Sequence, residues 1–599
     1  MEIGNEIIVY CAKGYGEEVY IKLLSKGYRV AAFCDNAKIN EGGMRLGLPV
    51  YNYQECHRKY PDAVYVVANS TYAAAIAIGA DLERDGYRKG SSYFLSLELE
   101  EQGELSEYKK QVPKVLEHKT LILFGRPFLC DLFRKWIESL EQKIDVQTCP
   151  SEESMDEFAG KWEDAIWVPL EMGVSLGLPE RDEDLVRILQ AHGIRSFTRF
   201  FLGHMLYCEE LPVSGNTDRI MDEFGIQVEK VLFLKSSPFS GSLLIDNILD
   251  FHPNVLFLGL NPWGCNIWHI VKASVDRPGE RLAEAIAGEI KYYLQTAGAK
   301  DLSWLERYQE VMGRYFRQGV SYSERDIFLL IYLAYYEFQH NKPLQGEAII
   351  YMDIHSNKLM RDSIFKWLER MKFDIILLAM IRTPYKRMGS YMKMILYSFN
   401  QPHETLFPYD IYNLLYMMAQ EKLDEEEKKY PLVRIRFEDL KMHSQKVLEK
   451  LCGIVGFPWS DTLLETTENG KERDYVVKES HITGFDLKPV YYSYEQFFDA
   501  FDKFRLDLIS REKSKAYGYS YVGRDKYPMP CEELGKLFEY PFYFERFMAF
   551  KDEADRERYH KRMGMLCTQL LYMQEEKKKY GAYFQYGEYL DIGESKIFS

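Results

Sequence analysis

Residues 231–244 read Val-Leu-Phe-Leu-Lys-Ser-Ser-Pro-Phe-Ser-Gly-Ser-Leu-Leu. An apolar strand runs there into a Ser/Gly loop, and the loop opens a helix that continues through Ile245, Ile248 and Leu249 at helical spacing. Such a handover belongs to an α/β sheet, and it sets backbone N–H groups and the positive end of a helix dipole together. Ser240, Gly241 and Ser242 therefore mark an anion site. The loop lacks the spaced glycine and the Gly-Lys-Ser/Thr ending of a nucleoside-triphosphate loop, so a phosphate is expected there and a metal is not.

A second stretch lies about 140 residues on. Asp374 to Ile381 is a continuous apolar run suited to a strand buried in a parallel sheet, and it ends in Arg382-Thr383-Pro384-Tyr385-Lys386-Arg387-Met388-Gly389-Ser390-Tyr391. A guanidinium at the strand end and the Ser390 hydroxyl in the following helix can converge on one phosphate. A third stretch, Val433-Arg434-Ile435-Arg436-Phe437-Glu438-Asp439-Leu440, reads as one more strand and leads into a helix through Leu448, Leu451 and Cys452.

Taken in order and spacing, these stretches and His252-Pro253-Asn254-Val255 resemble sulfotransferases that use 3′-phosphoadenosine-5′-phosphosulfate (PAPS), over roughly 226–520. The resemblance implies a P-loop-like parallel-sheet domain with PAPS as co-substrate and no metal. The Ser-Gly loop, with Ser237 and Ser240 to Ser242, would hold the 5′-phosphosulfate, and Arg382 with Ser390 the 3′-phosphate. Phe437 would stack on adenine or belong to the core. Gly484 and Lys488, in His481 to Pro489, fall where the family closes a loop over the nucleotide, and they fit a plain surface turn equally well.

Two positions depart from that pattern. The family has Lys or Arg where this chain has Phe239, and a hydroxyl residue where it has Leu243. A phenyl ring cannot stabilise charge on a leaving phosphate oxygen, and removing such stabilisation typically costs about 10²-fold or more. Lys235 and Lys358 are the candidate replacements, and Ser236 and Ser237 add hydroxyl donors. The candidate bases stand at the end of the strand Ala348 to Met352: His355, which occupies a place comparable to the family's catalytic histidine, and Asp353. Catalytic groups of open α/β sheets gather at that edge, and histidine titrates in the useful range.

Residues 1–112 form a Rossmann-like α/β unit that looks like the small domain preceding some bacterial sugar acyltransferases. Gly14 and Gly16 supply a tight turn after Ile7 to Tyr10, and Asp35 closes the next strand where a ribose ligand would stand. Cys11 replaces the first glycine of that fingerprint, so a bound nucleotide or nucleotide sugar and a bare scaffold both remain open. Residues 113–215 repeat the rhythm as a second α/β unit, and the two share one sheet or stand apart. A polar stretch, 218–229, precedes the domain at 226–522. Its helical insertion, 275–345, carries Trp304, Tyr308, Tyr335 and Tyr336 as acceptor-stacking or core residues, and residues 523–599 form a helical extension.

A net charge of −15 argues against a general nucleic-acid surface. Ten cysteines without a Cys-x-x-Cys pair read as thiols of a reducing compartment. The N-terminus lacks the pattern of a signal peptide, and the longest apolar run, Ile327 to Tyr336, falls short of the roughly 20 residues that span a bilayer. The expectation is a cytoplasmic sulfotransferase acting on a hydroxyl of a small molecule or glycan, a carbohydrate or glycan precursor foremost; the alternative, which Phe239 favours, is a catalytically degenerate nucleotide-binding module with a sensing or assembly role. A nucleotide-dependent oxidoreductase at the N-terminus is the third reading, opposed by the broken fingerprint.

Overall fold

In the computed structural model the strand expected at 231 begins five residues earlier, because the polar stretch before it alternates: Ile226 and Val228 face the core while Gln227 and Glu229 face out. The structure describes residues 6–593 except 13, 38–41, 70–71, 97–111, 126, 139, 141–142, 171–186, 199–222, 236–238, 260–263, 276, 297, 354–357, 398–405, 407, 421–424, 473, 478–479, 522–526, 551, 577–580 and 582–583. The chain is a multidomain α/β protein that divides into two compact units, 1–211 with 356–363, and 212–355 with 364–599.

The first unit holds both N-terminal α/β stretches. Strands β1 (Ile7–Tyr10), β2 (Val30–Cys34), β3 (Met44–Arg45), β4 (Leu48–Tyr51), β5 (Val64–Val67) and β6 (Tyr93–Leu95) are ordered β3-β4-β2-β1-β5-β6. Helices α1 (Gly14–Ser25), α2 (Tyr53–Lys59) and α3 (Tyr72–Arg84) connect them. Strands β7 (Thr120–Gly125), β8 (Asp145–Cys149) and β9 (Ile166–Leu170) form a second parallel sheet, ordered β8-β7-β9, with α4 (Pro127–Glu138) after β7. Residues 195–198 stitch the two sheets: Ser196 bridges to Met44 and Phe197 to Trp167, both parallel. Beneath that seam the carboxylate of Glu17 accepts a hydrogen bond from Thr198 and lies 3.9 Å from Arg45, all three fully buried. A buried acid needs such partners, and here they tie α1 to the seam.

The second unit is built on five parallel strands, β10 (Ile226–Lys235), β11 (Val255–Leu256), β12 (Gly346–Asp353), β13 (Asp374–Ile381) and β14 (Leu432–Arg436), ordered β11-β12-β10-β13-β14. Helix α5 (Ser242–Leu249) follows β10 and buries Leu244, Ile245, Ile248 and Leu249 against Leu232, Leu234, Leu378 and Val433. The insertion supplies α6 (Gly279–Thr296), α7 (Ser303–Tyr315) and α8 (Glu324–His340), the last opened by the expected capping box between Ser323 and Asp326. Three of the four expected aromatics are core: Tyr308 is fully buried, and Tyr335 and Tyr336 spend their hydroxyls on Asn469 and Pro253, while Trp304 is half-buried beside Tyr308. Helices α9 (Lys358–Arg370) and α10 (Pro384–Tyr397) follow β12 and β13. The third motif differs from a continuous strand, since the ladder stops at Arg436 and Phe437–Met442 is a short helix, α11, followed by α12 (Ser444–Val455).

The C-terminal extension is helical only in part. After α13 (Ala500–Ala516) and α14 (Glu553–Glu575), residues 586–592 run along the edge strand β14: the Leu590 N–H donates to Arg434 O at 2.7 Å, and Ile592 enters the core. Gly587 lets the segment pass close to Arg434, since a Cβ would stand 1.9 Å from a guanidinium nitrogen and would have to displace that side chain. The segment covers a sheet edge that would otherwise invite pairing with another chain.

Two histidines hold the insertion against the turn after α5. His252 is fully buried and its Nδ1 accepts the Asn254 N–H at 3.1 Å, while His340 is stacked between Phe251 and Tyr336, each ring 4.0 Å away. Burial lowers both to about 4. The unfolded chain therefore takes up protons first as pH falls through 6.5, and stability drains away between there and pH 4. At 1.36 kcal/mol per pH unit, His252 alone is expected to cost the fold about 2 kcal/mol by pH 5. Thermal unfolding at pH 7 and pH 5 checks this: His252→Gln should show a smaller difference between the two than wild type.

Candidate functional site

The loop after β10 reaches its helix through two left-handed residues. Phe239 has φ 65° and Gly241, the N-cap of α5, has φ 104°. A Cβ on Gly241 would lie 2.4 Å from the Phe437 ring, so the close approach of loop and ring needs glycine. Ser240 is buried, Ser242 and Leu243 form the first turn of α5, and that turn carries no acidic side chain to offset the dipole. The Phe239 ring meets Tyr391 edge-on, with centroids 4.8 Å apart.

Arg382 leaves the end of β13 and turns toward this loop. Its Nη1 donates to Phe239 O at 3.3 Å, its Nη2 lies 3.4 Å from the Tyr494 hydroxyl and 3.5 Å from Pro489 O, and its guanidinium stacks 4.5 Å over Phe437. Sequence-distant residues 239–242, 382 and 437 thus share one place. Ser390 stands half-buried in the second turn of α10. Gly389 beside it has no room for a Cβ, which would fall 2.5 Å from the Tyr494 ring.

Two lysines missing from the sequence reading join Arg382. Lys386 is buried and donates to Val490 O, and Lys441, also buried, donates to Gly484 O. Burial is the main cause that lowers both, reinforced by Arg382 nearby, and it brings Lys441 down to about 8. Glu438 is the carboxylate buried among them, but its oxygens accept from Thr383 N (3.1 Å), Thr383 Oγ1 (2.6 Å) and Tyr519 OH (2.8 Å). Lys386 faces the buried Glu438 and Lys441 faces Asp486, and carbonyl oxygens of 484–490 accept from all three cations. Helical spacing held the clue: Lys386 is four residues before Ser390, and Lys441 four after Phe437.

The other expected residues are placed as follows. The Lys235 ammonium is 3.2 Å from Glu427, which also binds Arg434 at 3.2 Å; the register Lys235–Ala379–Arg434 leaves room for the carboxylate over the alanine. Asp353 is the buried last residue of β12, paired in register with Leu234. Lys488 is largely exposed, 3.5 Å from Asp486, so the backbone of its turn and not its side chain meets Arg382 and Lys386. Gly484 is packed against Thr466. His355, Ser236 and Ser237 lie outside the described residues, as does the Lys358 side chain.

In the first unit Gly14 opens α1, and a Cβ on Gly16 would meet Cys11 O at 1.9 Å, the close helix–strand approach that a dinucleotide fold uses. Cys11 adopts φ 99° where the fingerprint has glycine. The Asp35 carboxylate accepts from Ala12 N and Ala37 N, each at 2.9 Å, so both oxygens serve the loop itself.

No protein-family model matches the chain, and no curated protein matches it in sequence. Among solved structures, a sulfotransferase domain from the curacin biosynthetic pathway is similar over 41% of this chain and 80% of its own length, at 20% identity and a TM-score of 0.20, too loose a likeness to carry an argument. Among the described residues no helix is long and apolar enough to cross a membrane, and no group of His, Cys, Asp and Glu is placed to hold a metal.

Proposed function

We propose that residues 226–522 form a PAPS-dependent sulfotransferase domain that moves a sulfuryl group to a hydroxyl of a carbohydrate or glycan precursor. The observation that carries this reading is the convergence of Arg382, Lys386 and Lys441, all buried, beside the amino end of α5. Burying three cations costs free energy that a multiply charged anion would return. Ser240 to Ser242 would hold the 5′-phosphosulfate, and Arg382 with Ser390 the 3′-phosphate. In transfer, the acceptor oxygen bonds to sulfur as the sulfur–phosphate oxygen bond breaks, and the hydroxyl proton passes to Asp353, the last residue of β12, or to His355, two residues on in the sequence.

A second reading, a module that binds the nucleotide without turnover, is favoured by one arrangement: Phe239 supplies no charge and Lys235 is held by Glu427. For residues 1–211 the reading is a scaffold, since Asp35 and Glu17 are both spent on the fold. Calorimetry with adenosine 3′,5′-bisphosphate is expected to show binding to wild type and at least a tenfold loss in Arg382→Ala. Transfer from labelled PAPS to a panel of sugars and phenols then separates the two readings. Binding without transfer or donor hydrolysis selects the module, and no binding by wild type removes both.

A further inference from the structure

We propose that the surface leading outward from Tyr494 binds an acidic saccharide chain, with sugar faces on Tyr492 and Tyr543 and a carboxylate or sulfate on Arg546. This rests on the reading above, whose acceptor it would deliver. The path is continuous. Tyr494, 3.4 Å from Arg382, meets Tyr492 edge-on with centroids 4.7 Å apart. The Tyr492 hydroxyl accepts from Gln496 Nε2 at 2.9 Å, and Gln496 O accepts from Arg546 Nη2 at 2.7 Å. Arg546 in turn lies flat against Tyr543, 4.0 Å from the ring centroid. Lys393, 5.1 Å from the Tyr492 ring, adds a second cation at the inner end.

The chemistry of this strip is unlike that of a core or of an apolar dimer face. Tyr492 is 39% and Tyr543 43% exposed, while Tyr494, which meets Tyr492, and Phe544, next to Tyr543 in the chain, are buried. Exposed tyrosines offer flat apolar faces and keep a hydroxyl in water, and the Arg546 guanidinium over Tyr543 supplies fixed donors. Alternating apolar faces and hydrogen-bonding groups are also what a pyranose chain presents, and Arg546 suits a carboxylate or sulfate through paired N–H donors. An aliphatic partner would leave those donors unsatisfied.

The test is affinity electrophoresis of the full chain through gels containing alginate, hyaluronan or neutral dextran, with Tyr543→Ala and Arg546→Gln as surface variants. Wild type is expected to be retarded by at least one acidic polysaccharide and not by dextran, and each variant to bind at least tenfold more weakly. Affinity for adenosine 3′,5′-bisphosphate, measured in parallel, should stay unchanged in both variants. Wild-type mobility unaffected by the acidic polysaccharides, retardation by dextran alone, or variants retarded like wild type would each overturn the proposal. So would sedimentation showing a dimer that Tyr543→Ala dissolves, because the strip would then be an interface between copies. Saccharide binding without nucleotide binding would sink the sulfotransferase reading and leave the strip standing.

Discussion

Gly241→Ala is expected to destabilise the protein by roughly 2–5 kcal/mol, the sum of a left-handed Cβ penalty of about 1–2 kcal/mol and an overpacking cost of about 1–3 kcal/mol. The backbone at Gly241 has φ 104°, and the new methyl would stand 2.4 Å from Phe437. The ring has little room to retreat: Phe437 is buried, with Arg382 at 4.5 Å and Lys441 at 5.7 Å from its centroid. Urea unfolding measures the loss. Adding Phe437→Leu should recover part of it by relieving the clash while leaving the backbone penalty, so the two substitutions together should cost less than their separate effects added. A Gly241→Ala protein within 0.5 kcal/mol of wild type, the ordinary range for a neutral surface change, would mean that ring and loop do not meet this way.

That single contact shows what the sequence made legible and what it withheld. The apolar run of β13 announced its own boundaries, Asp374 to Ile381, because a strand buried on both faces has no polar interruption. The Ser-Gly handover to α5 was equally plain. The Phe437 segment was harder, since Val433 to Leu440 keeps an apolar rhythm while the backbone changes from strand to helix at Phe437. Two contacts favour the change, one local and one tertiary: Arg436 pairs with Asp439 at 2.6 and 2.8 Å one turn on, and Glu438 reaches back to Thr383. Lys386 and Lys441 escaped notice for a related reason. A lysine in a charged, amphipathic stretch usually reaches water, and only the turn at 484–490, distant in sequence, shows that these two do not. The edge-covering run at 586–592 was hidden too, because Gly587 and Leu590 matter only beside Arg434.

The buried lysine gives the site a pH signature with two opposite slopes. Lys441 sits at about 8 in the folded protein against an ordinary 10.5, with burial the main cause and Arg382 adding to it. Between those values the unfolded chain holds a proton that the folded chain has shed, so stability without ligand should rise with pH, by up to about 3 kcal/mol over the whole span. Anion binding should run the other way. A phosphate beside the ammonium draws its proton back, so above pH 8 the complex must take one up, and affinity for adenosine 3′,5′-bisphosphate should fall by up to about tenfold per pH unit. Calorimetry in two buffers of different ionisation enthalpy reads that proton directly. Lys441→Met should flatten both slopes and weaken binding at pH 7, where the wild-type ammonium is charged. If the variant keeps the wild-type slopes, the titrating group is another one, and Lys386→Met is the substitution that would then flatten them, since Lys386 is also lowered by burial, with Arg382 adding to it. If neither change alters binding, the three cations do not act as one anion site, whatever holds them in place.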